Sequence, residues 1–140
     1  MTLKKIFLGS GLCLFAFLTP LRAADQEQQY KGVAYVCTGV GESKEDPKWK
    51  VYPLKLMFAG SGRAYVSEVK AEIKDSSGQI MLKTECDGPW LLVKLKPGKY
   101  QVQASAEGGG LKTTSVTVPE MGQNEVVMRF SSIPQGTGNE

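Results

Sequence analysis

The sequence predicts an all-β protein, a single antiparallel β-sandwich of seven or eight short strands that follows a cleaved N-terminal signal helix. Three observations favour this architecture over a helical one. Apolar and polar residues alternate with a period of two through most of the chain after residue 31. Turns rich in Gly and Pro separate the alternating segments, and no segment there shows the spacing of three and four that an amphipathic helix requires.

Residues 1–23 are typical of a secretory signal peptide. Lys4 and Lys5 precede the apolar run Ile6–Phe17, and cleavage is expected after Ala23. The run is shorter than the roughly 20 residues that span a bilayer, although an uncleaved anchor is the alternative. We therefore expect no stable membrane anchor after cleavage and a periplasmic or secreted protein.

The mature chain carries no net charge. The signal contains three of the 17 basic residues (Lys4, Lys5 and Arg22) and none of the 14 acidic ones, so 14 of each sign remain. A balanced chain has no general attraction to nucleic acid or to an anionic membrane, and we predict neither as a partner. The sequence also contains no histidine, which removes Ser-His-Asp and Cys-His catalysis and the commonest zinc ligand. We predict a protein that is not an enzyme and has no cofactor and no metal.

The strand candidates follow one another at short intervals. In chain order they are 32–38, 51–59, 65–75, 79–86, 90–95, 98–107, 111–118 and 125–130. Residues 24–31 are predicted to be a flexible polar leader, 32–130 the sandwich domain and 131–140 a disordered tail. The stretch Trp90–Leu95 is almost wholly apolar, so we expect it to be buried with Trp90 in the core.

Two turns carry a recognisable pattern. Asp75-Ser-Ser-Gly78 is a hairpin loop by composition, and Lys96-Pro-Gly-Lys99 has proline and glycine where a type II turn requires them. With their flanking strands, Val69–Gly78 and Leu95–Ala104, these turns resemble the carboxypeptidase regulatory-like domain. That resemblance implies a prealbumin-like (transthyretin-like) β-sandwich, which serves many roles and implies no particular activity.

Further segments are similar to small exported proteobacterial proteins of unknown function. They are Gly39–Glu42, Leu54–Ala59, Gly62–Tyr65 and Gly88–Leu92. Together the resemblances cover nearly all of the mature chain. The general pattern of that group lacks the cysteines of this chain.

Cys37 and Cys86 are the two cysteines that remain after signal removal. In an oxidising compartment a disulfide is the default expectation, and two buried free thiols are the alternative. A catalytic redox pair is disfavoured because the chain has no Cys-x-x-Cys motif.

The loop 39–50 is the predicted binding region. Trp49 and Tyr52 flank it, Glu42 lies within it, and Tyr65 is a further candidate contact. The leading hypothesis is an exported non-enzymatic module that binds a protein or a cell-envelope component through loops at one end or an exposed sheet edge. The alternative is a carbohydrate-binding module whose exposed aromatic rings stack on an envelope glycan. A structural role, in which Trp49 or Tyr52 caps the edge of the core, is also open.

The acidic residues near this loop suggest no catalytic or metal site. Glu42, Glu45 and Asp46 match no known calcium loop, and lysines lie among them. An enzyme would need two carboxylates from this set or Asp87 to meet in an open cleft. The sequence gives neither the ligand nor the oligomeric state.

Overall fold

The computed structural model describes residues 25–41, 46–60 and 66–130 of the 140-residue chain. The predicted signal peptide with its Ala23 cleavage site, and the predicted tail 131–140, lie outside these residues. The elements are β1 (Gln28–Tyr30), β2 (Val33–Thr38), a 3₁₀ helix (Pro47–Val51), β3 (Leu54–Ala59), β4 (Val69–Asp75), β5 (Ile80–Cys86), β6 (Trp90–Val93), β7 (Gly98–Ala106), β8 (Gly110–Val118) and β9 (Asn124–Arg129). Within the described ranges, no helix is long and apolar enough to cross a membrane.

The strands form two sheets that pack face to face. The five-stranded sheet has the order β1-β2-β6-β3-β9 and the four-stranded sheet the order β5-β4-β7-β8. Side chains that alternate along each strand meet between the sheets, as Leu54, Leu56 and Phe58 of β3 do with no exposed surface. The predicted all-β sandwich is confirmed, and the described residues form nine strands where the sequence predicted seven or eight.

One strand pair departs from the antiparallel pattern that the sequence predicted. β9 runs parallel to β3, from Leu54 opposite Asn124 to Ala59 opposite Arg129. The chain leaves β8 in the four-stranded sheet and crosses over residues 119–123 to the end of the sandwich where β3 begins. The pair is fixed at both ends, since the amides of Asn124 and Phe130 donate to the carbonyls of Pro53 and Ala59, each at 2.8 Å.

The prediction of a flexible leader over 24–31 was wrong for part of that range. Gln28–Tyr30 forms β1 and pairs antiparallel with β2 at the edge of the five-stranded sheet. Tyr35 on β2 donates its hydroxyl proton to Gln28 Oε1 at 3.0 Å, and the Asp25 amide donates to the Cys37 carbonyl at 2.9 Å. A polar sequence suits an edge strand because most of its side chains face water.

The two predicted turns are closed by side chains. At the β4–β5 hairpin the Asp75 carboxylate accepts bonds from the Ser77 hydroxyl at 2.7 Å and from the Ser77 and Gln79 amides at 2.9 Å. The Ser77 hydroxyl and then the Gln79 amide lower the pKa of Asp75. At the turn before β7, the Tyr100 hydroxyl donates to the Lys96 carbonyl at 2.7 Å. That bond explains why tyrosine follows the Pro-Gly pair.

A disulfide joins the two sheets. Cys37 on β2 and Cys86 on β5 are bonded, with their Cα atoms 5.5 Å apart and a sequence separation of 49. The predicted pairing is confirmed, and the alternative of two free thiols is excluded. Closing a loop of this length contributes roughly 4 kcal/mol in the chain-entropy model.

Candidate functional site

The described end of the predicted binding loop, residues 46–50, packs against the sandwich. Asp46 starts the 3₁₀ helix by accepting a bond from the Lys48 amide at 2.9 Å, and Pro47 occupies the first helical position. This short helix directs Trp49 onto the outer face of the five-stranded sheet, away from the main core between the sheets.

Trp49 and Tyr52 belong to a second, smaller apolar cluster with Val36 and Leu92. Their ring centroids are 6.2 Å apart, and only 5% of Trp49 and 4% of Tyr52 is exposed. Gln123 holds the segment in place, since its amide nitrogen donates to the carbonyls of both aromatic residues at 2.9 Å.

The alternative in which an exposed Trp49–Tyr52 pair stacks on a sugar does not fit this burial. The physical reason lies in β2 and β6, which carry apolar side chains on both faces. Val36 and Leu92 would face water on the outside of the sheet unless another segment covered them. Trp49 and Tyr52 supply that cover, so the structural alternative applies to both of them.

The polar neighbours of this cluster have structural contacts. Lys94 Nζ lies 5.0 Å from the Tyr52 ring centroid and 3.4 Å from Glu27 Oε1. Burial raises the pKa of Tyr52 to about 12, helped by the negative charge of Glu27 and by a hydrogen bond to it. A phenol held so firmly in its neutral form is no general base at neutral pH. The other two predicted contacts, Glu42 and Tyr65, lie outside the described residues.

Trp90 lies on the outer face of the sheet and is half-buried, whereas the sequence predicted it in the core. Strand alternation explains the difference, because Leu91 and Val93 take the inward positions of β6. Lys55 Nζ lies 3.5 Å from the Trp90 ring centroid and 3.6 Å from Glu125 Oε1. Trp90 is thus packed beneath a lysine that is itself paired.

Of the acidic residues predicted near this loop, the structure describes Asp46 and gives it a structural role. Asp46 caps the 3₁₀ helix and lies 3.5 Å from Lys48 Nζ, while Glu42 and Glu45 lie outside the described residues. Among the residues that the structure describes, no three Cys, Asp or Glu side chains are grouped to hold a metal ion.

The outer face of the four-stranded sheet is open and polar. It carries a shallow depression of about 510 Å³ lined by Lys70, Ala71, Glu72, Lys83, Thr84, Glu85, Gln103, Ser105 and Leu111. Opposite charges face each other across β4 and β5, with Lys70 beside Glu85 and Glu72 beside Lys83. The two lysines and two glutamates leave the lining of the depression without a net charge.

The sheet edges differ in how well they are protected against pairing with another strand. β1 has only three residues. β5 carries the charged residues Lys83 and Glu85, and its pairing with β4 contains a register shift. β9 carries the charged residues Glu125 and Arg129. Short length, charge and irregularity all discourage strand addition.

β8 has none of these protections on its outward side. It pairs with β7 over nine residues without a register shift, and the alternate residues Leu111, Thr113, Ser115 and Thr117 are exposed and uncharged. The sequence predicted binding through end loops or an exposed sheet edge but did not indicate which edge. The available signal was the run of uncharged alternate residues Leu111, Thr113, Ser115 and Thr117, which are also exposed.

Comparisons with known proteins identify no family for this chain. No family model matches the chain, and no curated protein matches it. Among solved structures it is similar to BcpA, the major pilin subunit of Bacillus cereus, with a TM-score of 0.41 and 15% sequence identity. The match covers 56% of this chain and only 27% of the pilin. The chain's own topology defines it as a disulfide-linked all-β sandwich protein.

Proposed function

We propose that this protein is an exported, non-enzymatic β-sandwich module that binds a protein partner by strand addition at the edge of β8. One observation carries the proposal: β8 is a long and regular edge strand whose exposed side chains at 111, 113, 115 and 117 are uncharged, and no other described strand pairs with its outer side. Strand addition to such an edge is a general mode of protein recognition.

The hydrogen-bonding direction along β8 supports this assignment. Backbone groups of successive strand residues point to opposite sides. The Thr117 carbonyl accepts a bond from Asn124 Nδ2 at 2.8 Å, so it faces away from β7. Leu111, Thr113 and Ser115 have the same parity, so their amides and carbonyls also face the open edge.

The spacing of these groups favours a protein partner. Alternate residues of a strand lie about 6.8 Å apart, and an extended peptide presents donors and acceptors with the same period. The uncharged side chains at 111, 113 and 115 leave neither sign of charge to be desolvated when a strand docks.

Lys112 does not close this edge, although it is the one charged residue of β8. Its Nζ donates to the Arg129 carbonyl on β9 at 2.7 Å, which directs the side chain across to the other sheet. The ammonium group is therefore held at the backbone of β9.

A proline variant tests the proposal. Ser115→Pro removes an amide that faces the edge and leaves the β7–β8 bonds in place, because those come from the even-numbered residues. Ser115→Ala is the matched control, since it removes the hydroxyl and keeps the amide. Circular dichroism and the mass of the intact disulfide verify that both variants fold.

Tagged wild-type protein is used to capture partners from a periplasmic extract, and a captured protein is identified, purified and titrated. An untagged copy of this chain counts as a partner in this experiment. We expect the wild type and Ser115→Ala to bind equally and Ser115→Pro to bind at least 10-fold more weakly. Equal binding by folded Ser115→Pro, or the lack of any partner that binds in purified form, would refute the proposal.

A further inference from the structure

We infer that the strand added at this edge is β8 of a second copy of the chain, paired antiparallel about a two-fold axis at Thr113. The inference rests on the proposed function and names its partner. Three features of β8 support the inference. They are the positions of the amides and carbonyls that face away from β7, the symmetry of these positions about Thr113, and the charges of the residues that would lie opposite each other.

The open part of the edge is limited at one end. Asn124 Nδ2 already occupies the Thr117 carbonyl, and Pro119 beyond β8 has no amide proton. The open groups are therefore those of Leu111, Thr113 and Ser115. Thr113 lies at their centre, so a two-fold axis there uses every open residue on both copies.

This register fixes the cross-strand neighbours. Thr113 lies opposite Thr113 of the second copy in a hydrogen-bonded pair, and Leu111 lies opposite Ser115. On the other face of the strand Lys112 lies opposite Thr114. No directly opposite pair brings like charges together, and threonine pairs are favourable on a sheet surface. The two Lys112 side chains are diagonal neighbours, and the Nζ of each is held by the Arg129 carbonyl of its own chain.

The pairing would join two four-stranded sheets into one continuous sheet with a polar outer face. The contact consists of one strand pair and its side chains, which is smaller than the roughly 1,200–2,000 Å² of a standard stable interface. We therefore expect a reversible dimer whose population rises with protein concentration.

Cysteine cross-linking tests the register. In a hydrogen-bonded antiparallel pair the Cα atoms are about 5.5 Å apart, within the range that a disulfide spans. Thr113→Cys is oxidised under mild conditions, and covalent dimer is measured by non-reducing mass spectrometry, with peptide mapping to verify that Cys37–Cys86 is intact. The control is Gln101→Cys, which is exposed on the same sheet face but belongs to β7.

We expect Thr113→Cys to form covalent dimer at least 10-fold faster than Gln101→Cys. Adding Ser115→Pro should abolish that advantage, and wild-type protein should show concentration-dependent dimer in sedimentation. Equal rates for the two cysteine variants, or a wild type that stays monomeric at millimolar concentration, would overturn the inference.

The two proposals fail in different ways. If the cross-link fails but Ser115→Pro still loses an identified partner of another sequence, the second copy is excluded and the strand-addition function stands. If Ser115→Pro changes neither partner binding nor self-association, both proposals are wrong.

Discussion

Replacing Trp49 with alanine separates a structural role from a binding role. The side chain is 5% exposed and packs against Tyr52, Val36 and Leu92 on the outer face of the five-stranded sheet. Truncating a buried tryptophan costs about 3–5 kcal/mol, and this small cluster at one surface should give a value near the lower limit, about 3 kcal/mol. For a domain of this size that lowers the urea midpoint by about 2 M.

The assay is urea unfolding followed by far-UV circular dichroism, which does not depend on tryptophan fluorescence. Val51→Ala is the matched control, because Val51 lies in the same 3₁₀ helix and is 63% exposed. It should change stability by no more than about 0.5 kcal/mol. Partner binding by folded Trp49→Ala should match that of the wild type. A decrease in the free energy of unfolding below about 1 kcal/mol would contradict the structural role of Trp49. Loss of partner binding with unchanged stability would show that Trp49 is a contact residue.

Two further changes test local packing and ionisation. A Cβ atom at Gly88 would lie 2.5 Å from the carbonyl oxygen of Thr38, which is backbone of β2 and cannot move without disturbing the β2–β6 pair. Gly88→Ala should therefore lower the free energy of unfolding by about 1–3 kcal/mol in chemical denaturation, and an effect below about 0.5 kcal/mol would contradict the close approach. Tyr52 has a folded-state pKa of about 12, above its ordinary value of 10.0. The contribution of the neutral Tyr52 side chain to the free energy of unfolding is therefore complete below pH 10 and is lost as the pH rises to 12. Stability measured across that interval should fall less steeply in Tyr52→Phe than in the wild type, and parallel curves would show that Tyr52 does not titrate abnormally.

The sequence predicted the strands well where one face is apolar and the other polar. β4 is the clearest case, because Val69, Ala71 and Ile73 are buried while Lys70 is exposed. Here the period of two is itself the burial pattern, so the local pattern contains the structural information. The hairpin after β4 was predictable for the same reason, since Asp75 closes it through contacts within four residues.

Features that depend on distant parts of the chain were not predictable in this way. Gln28–Tyr30 is polar and becomes a strand only because β2 offers it an edge. Trp49 was ambiguous because its burial depends on Val36 and Leu92, which are apolar on the outer face of other strands. The parallel β3–β9 pair depends on where the chain crosses between the sheets, which no local pattern encodes.

The two long sides of the sandwich are fastened by different chemistry. On the side of β2 and β5 a covalent bond between Cys37 and Cys86 links the sheets. On the side of β8 and β9 the described polar links are hydrogen bonds, from Asn124 to the Thr117 carbonyl and from Lys112 to a carbonyl of β9. Local opening therefore requires breaking only non-covalent contacts on the second side, while the first stays closed. The sandwich should therefore open along the β8–β9 side and stay closed along the β2–β5 side. Amide hydrogen exchange should be fastest along the outer edge of β8, where the backbone is unpaired.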